Sequence, residues 1–399
     1  MSEICVLAYS GGLDTSFCIP FLKEEHNYEI VTVMVDTGGF SEDELAEAAS
    51  RAKMLGVKEH IVLDGKSEVF DRFVKYLIFG NVLRGGVYPL CVAAERVVQA
   101  AMVAEYALKI DAVAIAHGST GAGNDQVRFD GAFGVLATGL KQHAPVREHS
   151  LSRQQETDYL AKHGLIIPAK TLKYSVNAGM WGVTIGGEET HDSATEVPES
   201  VFEMACPSKP DSKPAQITIG FENGIPTTLD SEKLDASELV NKLNIVSADY
   251  ALGRGVHLGD TIVGIKGRVA FQAGAALMLI AAHRELEKVV LTKWQRFWKD
   301  HVADFYGNMI HEGQPFDPVC RDIEAMLTSS QQRVSGQVTL NIRHGGYYVT
   351  GASSPNSMMT ADSKYGEEYT LWQGSDVAGF SKVLNIPSKL YGQAGKNSI

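Results

Sequence analysis

Residues 10–16 read SGGLDTS and follow directly on the apolar run ICVLAY. Paired glycines let an anion approach the backbone where a Cβ would block it. The first N–H groups of a helix are unpaired and carry partial positive charge, which favours phosphate. Ser10, Thr15 and Ser16 add hydroxyl donors beside Gly11 and Gly12. Asp14 is out of place beside an anion, unless a divalent cation bridges it to phosphates or it holds the loop by accepting backbone hydrogen bonds. The spacing matches neither G-x-x-x-x-G-K-[ST] nor G-x-G-x-x-G. A second polar run, HGSTGAGNDQVRF, occupies 117–129. Alone it reads equally as a solvated helix start, since Gly, Asn and Asp favour such places.

The elements that position these runs alternate regularly. Strands are predicted at 4–10, 29–35, 58–64 and 111–118, and helices at 13–26, 41–56 and 93–110. Ser41 and Glu44 form a capping-box pattern, with Gly56 as the C-cap. Continuous β-branched runs between amphipathic helices imply a parallel sheet covered on both faces, hence a doubly wound α/β domain. Ligands of such sheets bind at the carboxyl ends of the strands. SGGLDTS, VDTGG and HGSTGAGND all fall there, so they are expected to share one crevice. The rhythm changes near 165–175. Strands at 216–221, 261–266, 336–342 and 347–350, with helices at 272–289, 291–311 and 317–331, predict an α+β domain. The predicted divisions are 1–168, 169–362 and an extended tail, 363–399, with Tyr365, Trp372 and Phe380 as anchors.

The 399 residues suffice for two domains with their own cores. A formal charge of −12 without a basic run argues against nonspecific nucleic-acid binding, which needs clustered cations. Five scattered cysteines with no C-x-x-C pair support neither a zinc knuckle nor a disulfide framework. A strand begins within a few residues of Met1, leaving no room for a signal peptide, and no apolar stretch is long enough to span a bilayer. A cytoplasmic protein without membrane contact is expected.

SGGLDTS resembles the pyrophosphate-binding loop of the ATP pyrophosphatase group, whose members cleave ATP between its α and β phosphates. HGSTGAGNDQVRF is similar to the corresponding segment of one family in that group, argininosuccinate synthase. Further similarities run along the chain: YPL with Arg96 eight residues after Tyr88, YS-V-N at 174–177, HEGQPFDP, QQRVSGQV and GASSP. The resemblance implies ATP-dependent ligation of citrulline to aspartate through citrullyl-AMP, releasing AMP and pyrophosphate, within arginine biosynthesis. It implies Mg²⁺ with the ATP, a homotetramer, and ATP contacts at Ala8, Tyr9, Ser10, Gly11, Gly12, Leu13, Asp14, Thr15, Ser16, Val35 and Gly118. Aspartate is assigned to Thr120, Asn124 and Asp125, and citrulline to Tyr88, Asn124, Arg128, Ser175 and Thr184. Asp14 and Asp125 are the expected catalytic residues. The resemblance names no metal ligand.

The chain also departs from the family pattern. Ala93 and Ala122 replace a serine and a lysine, and LGDTIVGIKGRVAFQ (258–272) puts Gly259 at a glutamate position and Phe271 at a tyrosine position. That glutamate normally faces the citrulline α-ammonium. Asp260, Glu188 or Glu189 is expected to replace it; the alternative is an N-acylated citrulline, which carries no charge there. A tRNA-modifying ATP pyrophosphatase is a further alternative, disfavoured by the acidic balance and unpaired cysteines.

Overall fold

The computed structural model describes residues 3–166, 174–359 and 371–394. β1 (Ile4–Ala8), α1 (Leu13–His26), β2 (Glu29–Asp36), α2 (Glu42–Met54) and β3 (Glu59–Asp64) follow one another as the sequence predicts. The Ser41–Glu44 capping box forms, with Glu44 N–H donating to Ser41 Oγ at 3.3 Å and Ser41 N–H donating to Glu44 Oε2 at 2.9 Å. A helical stretch follows, made of α3 (Lys66–Val69), a π-helical turn at Phe70–Val74 and α4 (Lys75–Phe79). Beyond it come α5 (Ala93–Lys109), β4 (Ala114–His117), α6 (Asp125–Leu136), β5 (Lys141–His143), α7 (Pro145–His149) and α8 (Arg153–Lys162).

The five strands are parallel, in the order β3-β2-β1-β4-β5. Alternation along β1 sends Cys5 and Leu7 into a core with Phe17, Leu22 and Leu160, and Val6 and Ala8 into another with Ala100, Phe129 and Phe133. Both faces are thus covered, which explains the unbroken apolar strands. Chain order runs outward from β1 in both directions, so the β1/β4 junction is the switch point where a crevice opens.

Next come β6 (Tyr174–Gly179), β7 (Gly182–Gly187), a 3₁₀ turn (Glu188–His191), α9 (Glu199–Ala205), β8 (Ala215–Glu222), β9 (Ile225–Leu229) and β10 (Glu232–Lys233). They are followed by α10 (Ala236–Asp249), β11 (Arg254–Asp260), β12 (Lys266–Gln272), α11 (Gly274–Val290), α12 (Lys293–His311), α13 (Pro318–Gln331), β13 (Gly336–Arg343) and β14 (Gly346–Ser353). The strands form two antiparallel sheets, β10-β9-β8-β13-β14 and β11-β12-β7-β6. The strand expected at 261–266 is instead the turn of the β11–β12 hairpin: only Lys266 enters a strand, and Thr261 N–H closes the turn on the Ile265 carbonyl at 2.8 Å. Its apolar residues Val263 and Ile265 are exposed.

Residues 1–354 form one compact unit. Its largest core joins α4 and α5 to α10–α13, β8 and β13. Residues 355–399 form a second unit. There the sequence predicts an extended tail, whereas the described part is helical: α14 (Gly374–Leu384) and α15 (Ile386–Ala394). Tyr365 and the positions flanking both expected domain divisions, 168/169 and 362/363, lie outside the described residues. Among those described, no helix is long and apolar enough to cross a membrane.

Candidate active site

A cavity of about 630 Å³ opens at the carboxyl ends of β1, β2 and β4. Ala8, Tyr9, Ser10, Gly12, Leu13, Asp14 and Thr15 line it from the first loop, and Val35 from the end of β2. Gly118 lines it after β4, with Thr120 and Asp125 beyond. Ser175 enters from β6. The crevice thus collects the first loop, the residues after β2 and the 117–125 run, which are far apart in sequence.

Within the first loop the residues divide. Ser10 Oγ and Thr15 Oγ1 lie 3.1 Å apart on the cavity wall, and Ser10 N–H donates to Thr15 Oγ1 at 3.3 Å. Ser16 is fully buried with its Oγ 3.2 Å from Tyr9 OH, so it cannot present its hydroxyl to a ligand in the cavity. Gly11 also lies outside the lining. Its φ is +75°, a Cβ there would lie 2.7 Å from Ala48 Cβ, and its carbonyl accepts from Arg51 at 2.7 Å. Gly11 therefore lets the loop press against α2. Gly118 serves a similar end: a Cβ there would meet Thr15 Cγ2 at 2.9 Å and Thr15 N at 3.0 Å, so the end of β4 rests on the first turn of α1.

Asp14 faces the cavity beside Glu156 of α8. Burial and the Asp14 charge push the Glu156 carboxyl up to about 8. Near neutral pH Glu156 therefore holds a proton beside Asp14. Among the described residues no group of three or more His, Cys, Asp or Glu side chains is placed to hold a metal ion.

The opposite wall is organised by Arg96 of α5. Its Nε reaches Asp125 Oδ2 at 3.1 Å, Nη1 reaches Gln99 Oε1 at 2.8 Å and Nη2 reaches Asn177 Oδ1 at 3.0 Å. Arg128 Nη1 holds the other Asp125 oxygen at 2.8 Å. Burial raises the Asp125 pKa, but Arg96 and Arg128 outweigh it and hold the carboxyl below its usual range. Asp125 is thus an ionised anchor, able to bind an ammonium and poorly suited to accept a proton. His117 is buried; its Nδ1 accepts from Ser119 N–H at 3.1 Å and its Nε2 lies 3.0 Å from Asp130 Oδ1, so it braces the strand end.

Several expected contacts lie outside the cavity. Asn124 Oδ1 accepts from Ile262 N–H at 2.9 Å, fastening the β11–β12 turn to the start of α6. Arg128 donates to the His311 carbonyl from Nε at 3.3 Å and Nη2 at 3.0 Å. Tyr88 is buried, with its OH donating to the Cys91 carbonyl at 2.9 Å. Thr184 stands on β7 opposite Asn177 and Phe271. Sequence reasoning assigned no role to Arg96, Gln99, Arg153 or Asn177, all of which line the cavity. Arg96 and Asn177 had signals, in the place eight residues after Tyr88 and in YS-V-N at 174–177; Gln99 had none. Two of the three substitutes proposed for a carboxylate at 259 are engaged elsewhere. Asp260 pairs with Lys266 at 2.5 Å, and Glu189 accepts from Tyr174 OH at 2.8 Å.

Comparison with known proteins matches residues 4–166 to the model described as arginosuccinate synthase N-terminal HUP domain and 174–391 to arginosuccinate synthase C-terminal domain. Similar curated proteins include an argininosuccinate synthase of Methanocaldococcus jannaschii, 35% identical over 98% of both chains. That of Xanthomonas campestris is 38% identical over 99% of this chain and all of its own. That of Pyrococcus furiosus is 36% identical over 96% of this chain and 93% of its own.

Proposed function

The chain belongs to the argininosuccinate synthase family, and from that premise we infer that it joins a citrulline-type ureido acid to aspartate at the expense of ATP, releasing AMP and pyrophosphate, as an enzyme of arginine biosynthesis. The observation that carries this reading is the meeting of the Ser10–Thr15 loop and the Arg96–Asp125 pair in one cavity at the β1/β4 switch point. The loop suits the β and γ phosphates, with Ser10, Thr15 and the first N–H groups of α1 as donors. Val35 and Gly118 flank the place for the nucleoside. Mg²⁺ would enter with ATP, and Asp14 is the loop carboxylate that would face it.

In the first step the ureido oxygen bonds to the α phosphorus as the bond to the bridging oxygen breaks, and pyrophosphate leaves on the loop. In the second the aspartate amine attacks the activated carbon, loses a proton and expels AMP. Neither step needs a covalent enzyme intermediate, so positioning and charge stabilisation carry the catalysis. Thr120 and Asp125 receive the aspartate, with Asp125 pairing its ammonium until the amine is deprotonated. Ser175, with Asn124, Arg128, Tyr88 and Thr184 behind the wall, forms the ureido acid's end.

The proposal treats 1–168 as the nucleotide half, 169–362 as the synthetase half and 363–399 as the assembly tail of a cytoplasmic homotetramer. Pyrophosphate release on adding aspartate and a ureido acid to enzyme and Mg-ATP tests the function. Release without the ureido acid, or none with any ureido acid, would refute it. Sedimentation equilibrium of the full chain and of a chain ending at residue 362 tests the assembly: a tetramer that survives truncation contradicts it.

A further inference from the structure

Outside the cavity lining, the family reading leaves a buried histidine with an unpaired ring nitrogen unexplained. His257 of β11 stacks on the Tyr88 ring at 15° with centroids 5.0 Å apart. It is 8% exposed, and its Nε2 has no hydrogen-bond partner. That nitrogen points at Gly259, where a Cβ would lie 2.6 Å away; at Gly85 a Cβ would lie 3.3 Å from the ring's Cε1. With His257 so placed, position 259 cannot carry a side chain unless the ring moves.

The surroundings are cationic. Arg84 Nη2 donates to the Asp260 carbonyl at 3.0 Å, and His311 Nε2 lies 3.3 Å from the same oxygen. Arg128 holds the His311 carbonyl. Among the described residues Arg84 forms no salt bridge with a carboxylate. Asp125 is shared by Arg96 and Arg128, and Asp260 is exposed and paired with Lys266. Glu95 is fully buried, with Oε1 accepting from Trp181 N–H at 3.0 Å and Oε2 without a partner, and burial raises its pKa, which disfavours the charged carboxylate. Burial and Arg84 lower the His257 pKa, so the imidazole stays neutral and can offer Nε2–H without a charge. A free ammonium entering here would lose its water beside the Arg84 guanidinium, which is unfavourable. A carbonyl oxygen would instead gain a donor in His257 Nε2–H and a favourable charge–dipole contact with Arg84.

We propose that the notch over Gly259 receives the acyl carbonyl of an N-acylated citrulline, with His257 Nε2 and Arg84 selecting it over citrulline with a free α-ammonium. This rests on the ligase reading and on Tyr88 and Arg128 marking the amino-acid end. Asp125 lines the cavity and binds Arg128, which holds the His311 carbonyl, and His311 Nε2 in turn lies 3.3 Å from the Asp260 carbonyl beside Gly259.

The test compares kcat/KM for pyrophosphate release from Mg-ATP and aspartate with citrulline and with N-acetylcitrulline, on the full-length enzyme. The acetylated substrate is expected to be favoured about tenfold or more, the scale of one hydrogen bond plus a relieved unpaired charge. A preference below that, or for citrulline, overturns the proposal and leaves the ligase reading intact. Silence with both overturns the ligase reading itself. His257→Ala and Gly259→Ala are expected to erase the preference. Thermal unfolding and the dissociation constant for Mg-ATP check that each variant is folded. A folded variant that keeps the full preference removes the assignment to the notch.

Discussion

Replacing Gly118 by alanine tests how closely the two loops of the site depend on each other. The added Cβ would stand 2.9 Å from Thr15 Cγ2, 3.0 Å from Thr15 N and 3.1 Å from the Asp14 carbonyl carbon. Two of these are backbone atoms of the first turn of α1, so a side-chain rotation cannot relieve the contact. Ordinary separation is restored only if the end of β4 or the phosphate loop moves by roughly half an ångström, at an overpacking cost of about 1–3 kcal/mol. Gly118 does not have a positive φ, so the backbone accepts alanine without strain and the effect is purely steric. Displacing groups that position a reacting phosphate by up to 1 Å costs on the order of 100-fold in rate. The expected result is a folded enzyme with kcat/KM for Mg-ATP down by ~30–100-fold in the pyrophosphate assay. The dependence on aspartate concentration should change less. Wild-type ATP kinetics in a folded Gly118→Ala enzyme would refute the claim that β4 sets the loop.

Other substitutions separate roles that the sequence leaves merged. Ser16→Ala should lower stability by ~1 kcal/mol through loss of its buried bond to Tyr9 while leaving the KM for ATP unchanged, whereas Thr15→Val should raise that KM; denaturant titration and kinetics distinguish the two. Because the folded Asp125 pKa is depressed below 3.8, its stabilisation is complete above that value and is lost as pH falls through the folded one. The Tm advantage of wild type over Asp125→Asn should therefore be flat at neutral pH and shrink below about 3.8; a difference that grows on acidification contradicts the depressed pKa. Glu156 has the opposite sign. Its folded pKa, raised to about 8 from 4.5, makes the wild type lose stability relative to Glu156→Gln as pH rises through that window. A pH-independent difference in melting temperature would contradict the proton on Glu156.

The nucleotide half was legible because burial on both faces forces continuous β-branched strands, and because capping at Ser41 and the glycines of the loops are local signals. The antiparallel β11-β12-β7-β6 sheet was not. Its strands YSVNAG, GVTIGG and RGVHLGD are polar and glycine-rich, while the apolar TIVGI that reads as a strand is an exposed turn. The first loop's composition predicts phosphate binding, but no local pattern shows that Ser16 turns inward to Tyr9 or that Gly11 faces α2. The Arg96 network was hidden for another reason. Its partners Asp125 and Asn177 lie 29 and 81 residues away, and only the packing of α5 against α6 and β6 brings them together. The same holds for His257, whose relation to Tyr88 and Gly85 depends on how β11 lies over the 84–88 turn.

The central claim, adenylation of a ureido oxygen in the β1/β4 crevice, is tested most directly with substrate carrying ¹⁸O in the ureido group, as citrulline and as its N-acetyl derivative. After turnover with Mg-ATP and aspartate, the AMP phosphate is analysed by mass spectrometry. One labelled oxygen per AMP from the substrate that turns over is the expected result. AMP formed without label would mean that the ureido oxygen never bonded to phosphorus, and would contradict the account.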